Sequence, residues 1–297
     1  MDERDWSRLV QQMRSGDCTP FLGAGACYGT LPTGRQLSET WAQEYRYPFD
    51  DRSNLPRVMQ YAAVDRRDAV TVKKVVAQQL VPLGPPDFAR PGEPHGLLAS
   101  LPLPVYLTTN YDDFMVKALT AAGRVPSSAI CPWYQGAVTD EGMLAAEQDN
   151  SPRPERPIVY YLHGSFLNPN SLVLTEEDYL EFLINLTRDK SEDRRQLIPA
   201  TILRALTMKP LLFIGYSLED WTFRVLFHGL LRTIAQVQQR RHISVQLAPP
   251  ADSTDLDRHE RARDYLTEYF NQWRISLHWG TAEDFCTELR ARLAAAE

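Results

Sequence analysis

Trp6, Leu9, Val10 and Met13 fall at i, i+3, i+4 and i+7, with polar and charged residues between them. That spacing predicts one amphipathic helix at the start of the chain, stopped by Gly16. The period then changes. TPFL, Thr19 to Leu22, is a short strand-like run, and a glycine-rich stretch follows it. Helical spacing returns from Gln36 to Tyr45 and again between Ser53 and Leu80. Pro82, Pro85, Pro86, Pro91 and Pro94 then break the chain. His95 to Ser100 reads as a short helix or turn. VYLTTNYD, Val105 to Asp112, begins β-branched and aromatic and ends polar. It predicts a buried strand that delivers functional groups at its end, with a helix over DDFMVKAL after it. A short strand is expected at Cys131 to Tyr134.

The second half repeats this plan. IVYYLHGS predicts a strand with a polar tip. LVLTEEDYLEFL predicts a short strand and then a helix, with Thr175 and Asp178 spaced as a capping box. A further helix is expected over roughly Asp193 to Leu206. LLFIGYSLED is again an apolar strand ending in Gly and Ser, with Ser217 capping a helix. HISVQLA and RISLHWG read as strands, LDRHERARDYLTEYF as a helix, and Thr281 with Asp284 caps a last one. Strands that are continuous apolar runs, alternating with helices, predict a parallel sheet buried on both faces. The expected fold is α/β: a doubly wound, Rossmann-like parallel sheet in one domain over residues 1–297. A helical insertion is expected at about 45–95 and a mobile loop at about 135–157, where AEQDNSPRPERP is polar and proline-rich.

Composition narrows the function classes. With 43% hydrophobic and 24% charged residues the chain is ordinary for a globular protein. Net charge is -6, which argues against coating nucleic acid with a basic surface. RTIAQVQQRRH, Arg232 to His242, is a local basic segment, read first as a solvated helix face and otherwise as a contact for a partner or nucleic acid. The four cysteines, Cys18, Cys27, Cys131 and Cys286, include no C-x-x-C pair and are too scattered for a disulfide framework. A reducing compartment fits them. The charged start MDERDWSRLVQQ is unlike a signal peptide, and no apolar run reaches the roughly 20 residues needed to cross a bilayer. The expectation is a cytoplasmic protein with no membrane contact.

In open α/β sheets ligands bind outside the carboxyl ends of the strands. Four such ends carry small or polar residues here. Gly23-Ala24-Gly25-Ala26 could let backbone amides approach a pyrophosphate, or could simply be a tight strand-to-helix turn. The G-x-G-x-x-G spacing is not met: Tyr28 stands at the third glycine position and Gly29 comes one place late. Asn110 and Asp112 could orient a sugar hydroxyl and hold a carboxamide; alternatively they cap the next helix. His163 suits proton transfer near neutrality, or is a structural histidine. The His-Gly pair also occurs at His95 and His228, so it is cheap by itself. Gly215 and Ser217 could admit a phosphate or ribose, or only turn and cap.

Taken together, GAGAC, LPTGRQL, TTNYD, LHGS, LVLTEEDY and FIGYSLED resemble the sirtuin superfamily, in particular its bacterial sirtuin-like branch from antiphage defence systems. The resemblance runs from about Pro20 to Asp220. It implies an NAD-binding Rossmann-like fold that cleaves the bond between nicotinamide and ribose. By the family pattern, Gly23, Ala24, Gly25 and Ala26 would meet the NAD phosphates or the adjoining ribose. Asn110 would position the nicotinamide ribose and the attacking oxygen, with Thr109 beside it in the cofactor-binding set. Asp112 would face the carboxamide, His163 would be catalytic, and Gly215 and Ser217 would lie on the adenosine side. Protein deacylases of the family carry a paired C-x-x-C zinc module, which is absent here. Their Asp-Phe-Arg after the glycine loop reads Thr33-Gly34-Arg35, and the serine after their glycine motif is Cys27.

The first two departures turn the expected activity from deacylation toward hydrolysis of NAD to nicotinamide and ADP-ribose, with NAD as substrate and no metal. Cys27 for serine is a small-for-small change that bears only slightly on the phosphate loop. An NAD-dependent protein deacylase and a non-catalytic sensor of NAD or ADP-ribose are the alternatives. Restraint of such an activity is expected through a homo-oligomer or a separate partner. The resemblance suggests a HerA-type ATPase or a short Argonaute module.

Overall fold

The computed structural model describes residues 1–27, 29–81, 84–134, 151–188, 197–216, 240–247 and 256–296. Seven strands among them form one sheet: β1 (Thr19–Leu22), β2 (Val105–Thr108), β3 (Ser127–Ile130), β4 (Ile158–Tyr161), β5 (Leu211–Ile214), β6 (His242–Gln246) and β7 (Ile275–Trp279). Every pairing is parallel, and the order across the sheet is β3-β4-β2-β1-β5-β6-β7. The chain lays β2 beside β1, places β3 at the far edge, fills the gap with β4, and then returns to lay β5 against the other side of β1. The topological switch point is therefore between β1 and β5.

Adjacent strand residues point to opposite faces, and both faces are covered. Leu22, Tyr106, Val159, Leu212 and Ile214 meet α1 (Glu3–Arg14), α5 (Pro94–Ala99), α6 (Phe114–Ala121) and α10 (Ala282–Ala295) in one core. Phe21, Leu107, Tyr160, Leu211 and Phe213 face a second core with α7 (Glu176–Arg188), α8 (Ala200–Met208) and α9 (Leu256–Asn271). This is the doubly wound arrangement expected of continuous apolar strands. The stripe of α1 is buried as its spacing predicts: Trp6, Leu9, Val10 and Met13 all lie in the first core.

A third core belongs to α2 (Gly34–Glu44), α3 (Leu55–Arg66) and α4 (Ala69–Leu80). Trp41, Val58, Met59, Val72 and Val76 pack there with Cys27, Phe114, Leu172 and Leu174. Those last four follow the ends of β1, β2 and β4, so this helical layer sits on the carboxyl side of the sheet. Lys73 of α4 pairs with Asp178 of α7 at 2.6 Å. Asp178 also closes the predicted capping box with Thr175.

Some expected elements move. The strand predicted at Cys131 to Tyr134 forms earlier, at Ser127–Ile130. Cys131 still donates to Tyr161, but Pro132 has no N–H to continue the ladder. The expected strand at LVL does not form. Its side chains instead divide between two cores, Val173 in one and Leu172 and Leu174 in another, which plugs the seam between them. The helix expected from Asp193 starts, among the described residues, at Ala200 after Pro199. The loop expected over 135–157 lies outside the described residues up to 150. Its end is held by Val125 N–H donating to Glu155 and Ser127 N–H donating to Pro157.

Candidate functional site

The loop after β1 and the tip of β5 touch backbone to backbone. Gly23 N–H donates to Ile214 O and Gly25 N–H to Gly215 O, both at 2.9 Å; Ala26 N–H donates to Gly23 O at 2.9 Å. Gly215 has φ +81°, and a Cβ there would lie 2.2 Å from Ala26 N. A Cβ on Gly25 would lie 2.8 Å from Gly215 Cα. The bare backbone is therefore required by the packing of the two strand tips on each other. The Gly25 amide is satisfied in this contact and the Ala26 amide within the loop itself. Ala24 is the exposed residue of the loop, and the chain from Ala24–Cys27 is a single 3₁₀ turn.

The tip of β2 lies alongside. Asn110 Nδ2 donates to Gly23 O at 3.0 Å and approaches Cys27 Sγ at 3.3 Å. The Cys27 thiol donates to Asp112 Oδ2 at 3.2 Å, and Asp112 Oδ1 accepts from Phe114 N–H at 2.9 Å. Asp112 therefore both faces the site and fixes the start of α6, whose own cap residue Asp113 makes no side-chain cap bond. Thr109 hydroxyl shares a 2.7 Å bond with Tyr216 OH, and Tyr216 OH donates to Leu22 O.

Two residues that the local pattern did not single out complete this group. His95, in the first turn of α5, holds Nε2 3.9 Å from Cys27 Sγ. Its Nδ1 lies 2.6 Å from Glu93 Oε1, and Glu93 Oε2 accepts from Gly96 N–H at 2.5 Å. Burial works against the Glu93 carboxylate, yet the bonds from His95 and Gly96 outweigh it and hold its carboxyl below the usual glutamate range. His95 thus faces Glu93 with Nδ1 and Cys27 with Nε2. Burial, then the neighbouring Asp112 charge, pushes the Cys27 thiol well above its ordinary value. Glu93, His95, Cys27 and Asp112 thus form one buried polar chain, from 1% to 6% exposed. Gly96 is obligatory in it, because a Cβ there would sit 1.9 Å from Phe88 O.

His163 occupies the corresponding place on the next strand. Thr108 pairs with Tyr161, so Asn110 and His163 each stand two residues past one rung of the ladder. Gly164 (φ +85°) lets the chain turn back under Ser171, and Val173 N–H donates to His163 O at 3.0 Å. The imidazole packs edge-on against Tyr179 and Phe182. Burial there pushes its pKa down to about 3, so it is neutral at pH 7. No hydrogen bond joins it to Asn110, Asp112 or Cys27 among the described residues. Ser217, expected on the adenosine side, lies outside the described residues, as does most of the basic segment Arg232 to His242.

The profile of the SIR2-like domain family matches residues 104–276, more than half of the chain. The chain belongs to the SIR2-like family. Curated relatives point to one branch of it. The chain is similar to an NAD(+) hydrolase ThsA of Cytobacillus dafuensis, 33% identical over 132 residues, which cover 44% of this chain and 22% of that protein. It is 21% identical over 243 residues to an NAD(+) hydrolase ThsA of Acinetobacter baumannii (strain 532279), covering 80% and 44% respectively. A third, from Bacillus cereus (strain MSX-D12), is 27% identical over 239 residues, covering 79% and 44%. The chain thus spans less than half the length of these relatives. As a SIR2-like protein it keeps the parallel sheet but carries no paired C-x-x-C module. No helix among the described residues is long and apolar enough to cross a membrane.

Proposed function

We propose that this SIR2-like chain hydrolyses NAD to nicotinamide and ADP-ribose. The observation that carries the reading is the meeting of the β1 loop, the β5 tip and the β2 tip at the switch point, with Asn110 and Asp112 beside the loop. The relatives' shared name, NAD(+) hydrolase, supports it. The scissile bond joins ribose to a cationic ring that leaves as neutral nicotinamide, so the leaving group needs little help. Water adds at the ribose carbon and releases one proton. The protein's task is to orient the dinucleotide, stabilise the developing positive carbon and place that water.

In this reading Asn110 orients the ribose and the water, and Asp112 faces the carboxamide. His163 is unprotonated at neutral pH, but its depressed basicity suits accepting a hydrogen bond from the attacking oxygen better than an early, complete proton transfer. Since the Gly25 amide is bonded to the β5 tip and the Ala26 amide to Gly23 O within the loop, the loop offers the pyrophosphate the exposed Ala24 and a surface of close approach. Gly23, Gly215, Thr109 and Ser217 complete the proposed binding set.

The broader role we propose is that of an effector that depletes NAD in antiphage defence, restrained by self-assembly or by a partner such as a HerA-type ATPase or short Argonaute module. The test is incubation of the chain with NAD, alone and with candidate partners, followed by chromatography of the products. Nicotinamide and ADP-ribose are expected in equal amounts, and folded Asn110→Ala should release neither. An Asn110→Ala variant as active as the wild type would overturn the assignment. Nicotinamide release only in the presence of acylated peptide would favour the deacylase. Full activity as a monomer would remove the regulatory part.

A further inference from the structure

Cys27, His95 and Asp112 each offer one ligand atom, Sγ, Nε2 and a carboxylate oxygen, and these atoms all lie within 4.8 Å of one another. Among the described residues this is the one such group of three or more. We propose that it is a binding site for one divalent cation of the zinc class, coordinated by Cys27, His95 and Asp112 and oriented by Glu93.

The donor set selects the metal. Thiolate with imidazole and carboxylate suits zinc and its cobalt analogue; magnesium and calcium take oxygen ligands. The separations are close to those a tetrahedral ion needs. Bonds of about 2.3 Å to sulfur and about 2.0 Å to nitrogen or oxygen place ligand atoms roughly 3.5 Å apart. Sγ lies 3.2 Å from Asp112 Oδ2 and 3.9 Å from His95 Nε2, and His95 Nε2 lies within 4.8 Å of an Asp112 oxygen, so the ligands must close on the ion mainly between His95 and the other two.

The outer partner is also in place. Metal-bound histidines usually donate their other ring N–H to a carboxylate or carbonyl, which fixes the tautomer and raises ligand basicity. Glu93 stands 2.6 Å from His95 Nδ1 and is itself anchored by Gly96 N–H. Charge balances too. On binding, the Cys27 S–H proton passes to solvent, and thiolate plus carboxylate neutralise the dication. The ion and its three ligands then carry no net charge, which a low-dielectric site favours, and the Glu93 carboxylate keeps its bonds to His95 and Gly96. Three protein ligands leave a fourth position for water.

Asn110 and Asp112 belong to the proposed NAD pocket, so a bound cation should exclude the substrate. That consequence rests on the proposed function; the binding does not.

Cobalt(II) added to the full chain, with no NAD present, tests the site. One equivalent should produce the thiolate-to-cobalt charge-transfer band and the intense visible bands of tetrahedral coordination, and zinc should abolish them. Cys27→Ser should lose the charge-transfer band and Cys286→Ser should keep it. Glu93→Gln should weaken binding by 10- to 100-fold while leaving the band. X-ray absorption of the zinc-loaded wild type, which needs no variant, should show one sulfur and the rest nitrogen or oxygen. Absence of the band in the wild type, its persistence in Cys27→Ser, or a zinc shell of oxygen alone or of several sulfurs would overturn the site. NAD hydrolysis without a cobalt band sinks the metal site and leaves the hydrolase standing. A cobalt band in a chain whose metal-free form hydrolyses no NAD, alone or with candidate partners, supports the site and counts against the hydrolase.

Discussion

Gly215 and Gly29 both have positive φ, +81° and +86°, but for different reasons. Around Gly29 a Cβ would meet nothing within 4 Å; at Gly215 it would strike the backbone of the neighbouring loop. Gly29→Ala should therefore cost only the left-handed penalty, about 1–2 kcal/mol. Gly215→Ala adds an overlap that neither backbone can relieve, so its loss should exceed Gly29→Ala by at least ~2 kcal/mol in urea unfolding. Equal losses would mean that the two tips do not press on each other in solution. At this scale the sequence made Asn110, Asp112, His163 and the loop glycines legible, because each ends a strand. It hid Glu93 and His95. The bonds that tie His95, Asn110 and Asp112 to Cys27 bridge 68, 83 and 85 positions, and local periodicity has no access to such distances. Cys27 looked like a small replacement for serine; its weight comes from neighbours that only the fold supplies.

Elements were read more easily than residues. Capping boxes at Thr175 and Thr281 stand where the spacing put them. The two strands that moved or vanished failed for reasons outside local apolarity: a proline at 132, and a choice between cores at LVL. The joint between α4 and α7 was not legible at all. Lys73 reads as one charged residue in a helical run, yet it is nearly buried, pairs with Asp178 and lies 5.1 Å over the Trp133 ring. Lys73→Ala leaves the Asp178 carboxylate without its cation and should lower stability by about 3 kcal/mol. Thermal unfolding with Lys73→Met as a companion separates charge from packing: if the pair matters, Met restores little; if only the stem matters, it restores most.

The order of seven strands is a property of the whole molecule that no local pattern encodes, although their parallel direction follows from the alternation of strand and helix. Acid sensitivity belongs to this scale too. Burial pushes His163 to about 3 and His242 to about 4; His242 Nδ1 also accepts the Leu211 amide, which only the unprotonated ring can do. Unfolded, both would titrate near 6.5. Below that pH the unfolded chain binds protons that the folded chain refuses, so stability falls as pH drops from about 6.5 through 4 toward 3, by up to about 1.4 kcal/mol per unit for each ring. Urea midpoints at pH 7 and pH 5 should show the first part of this loss, and His242→Gln should shrink it. A flat profile would place both rings in water.

The helical layer of α2, α3 and α4 shares its core with Cys27, Phe114, Leu172 and Leu174, residues that follow the ends of three strands. Swinging that layer away would bare all of them, at roughly 1.5–3 kcal/mol for each large side chain. The layer is thus a fixed wall beside the strand tips and not a door. If NAD is hydrolysed there as proposed, its approach is expected along those tips, past Thr109 and the exposed Ala24.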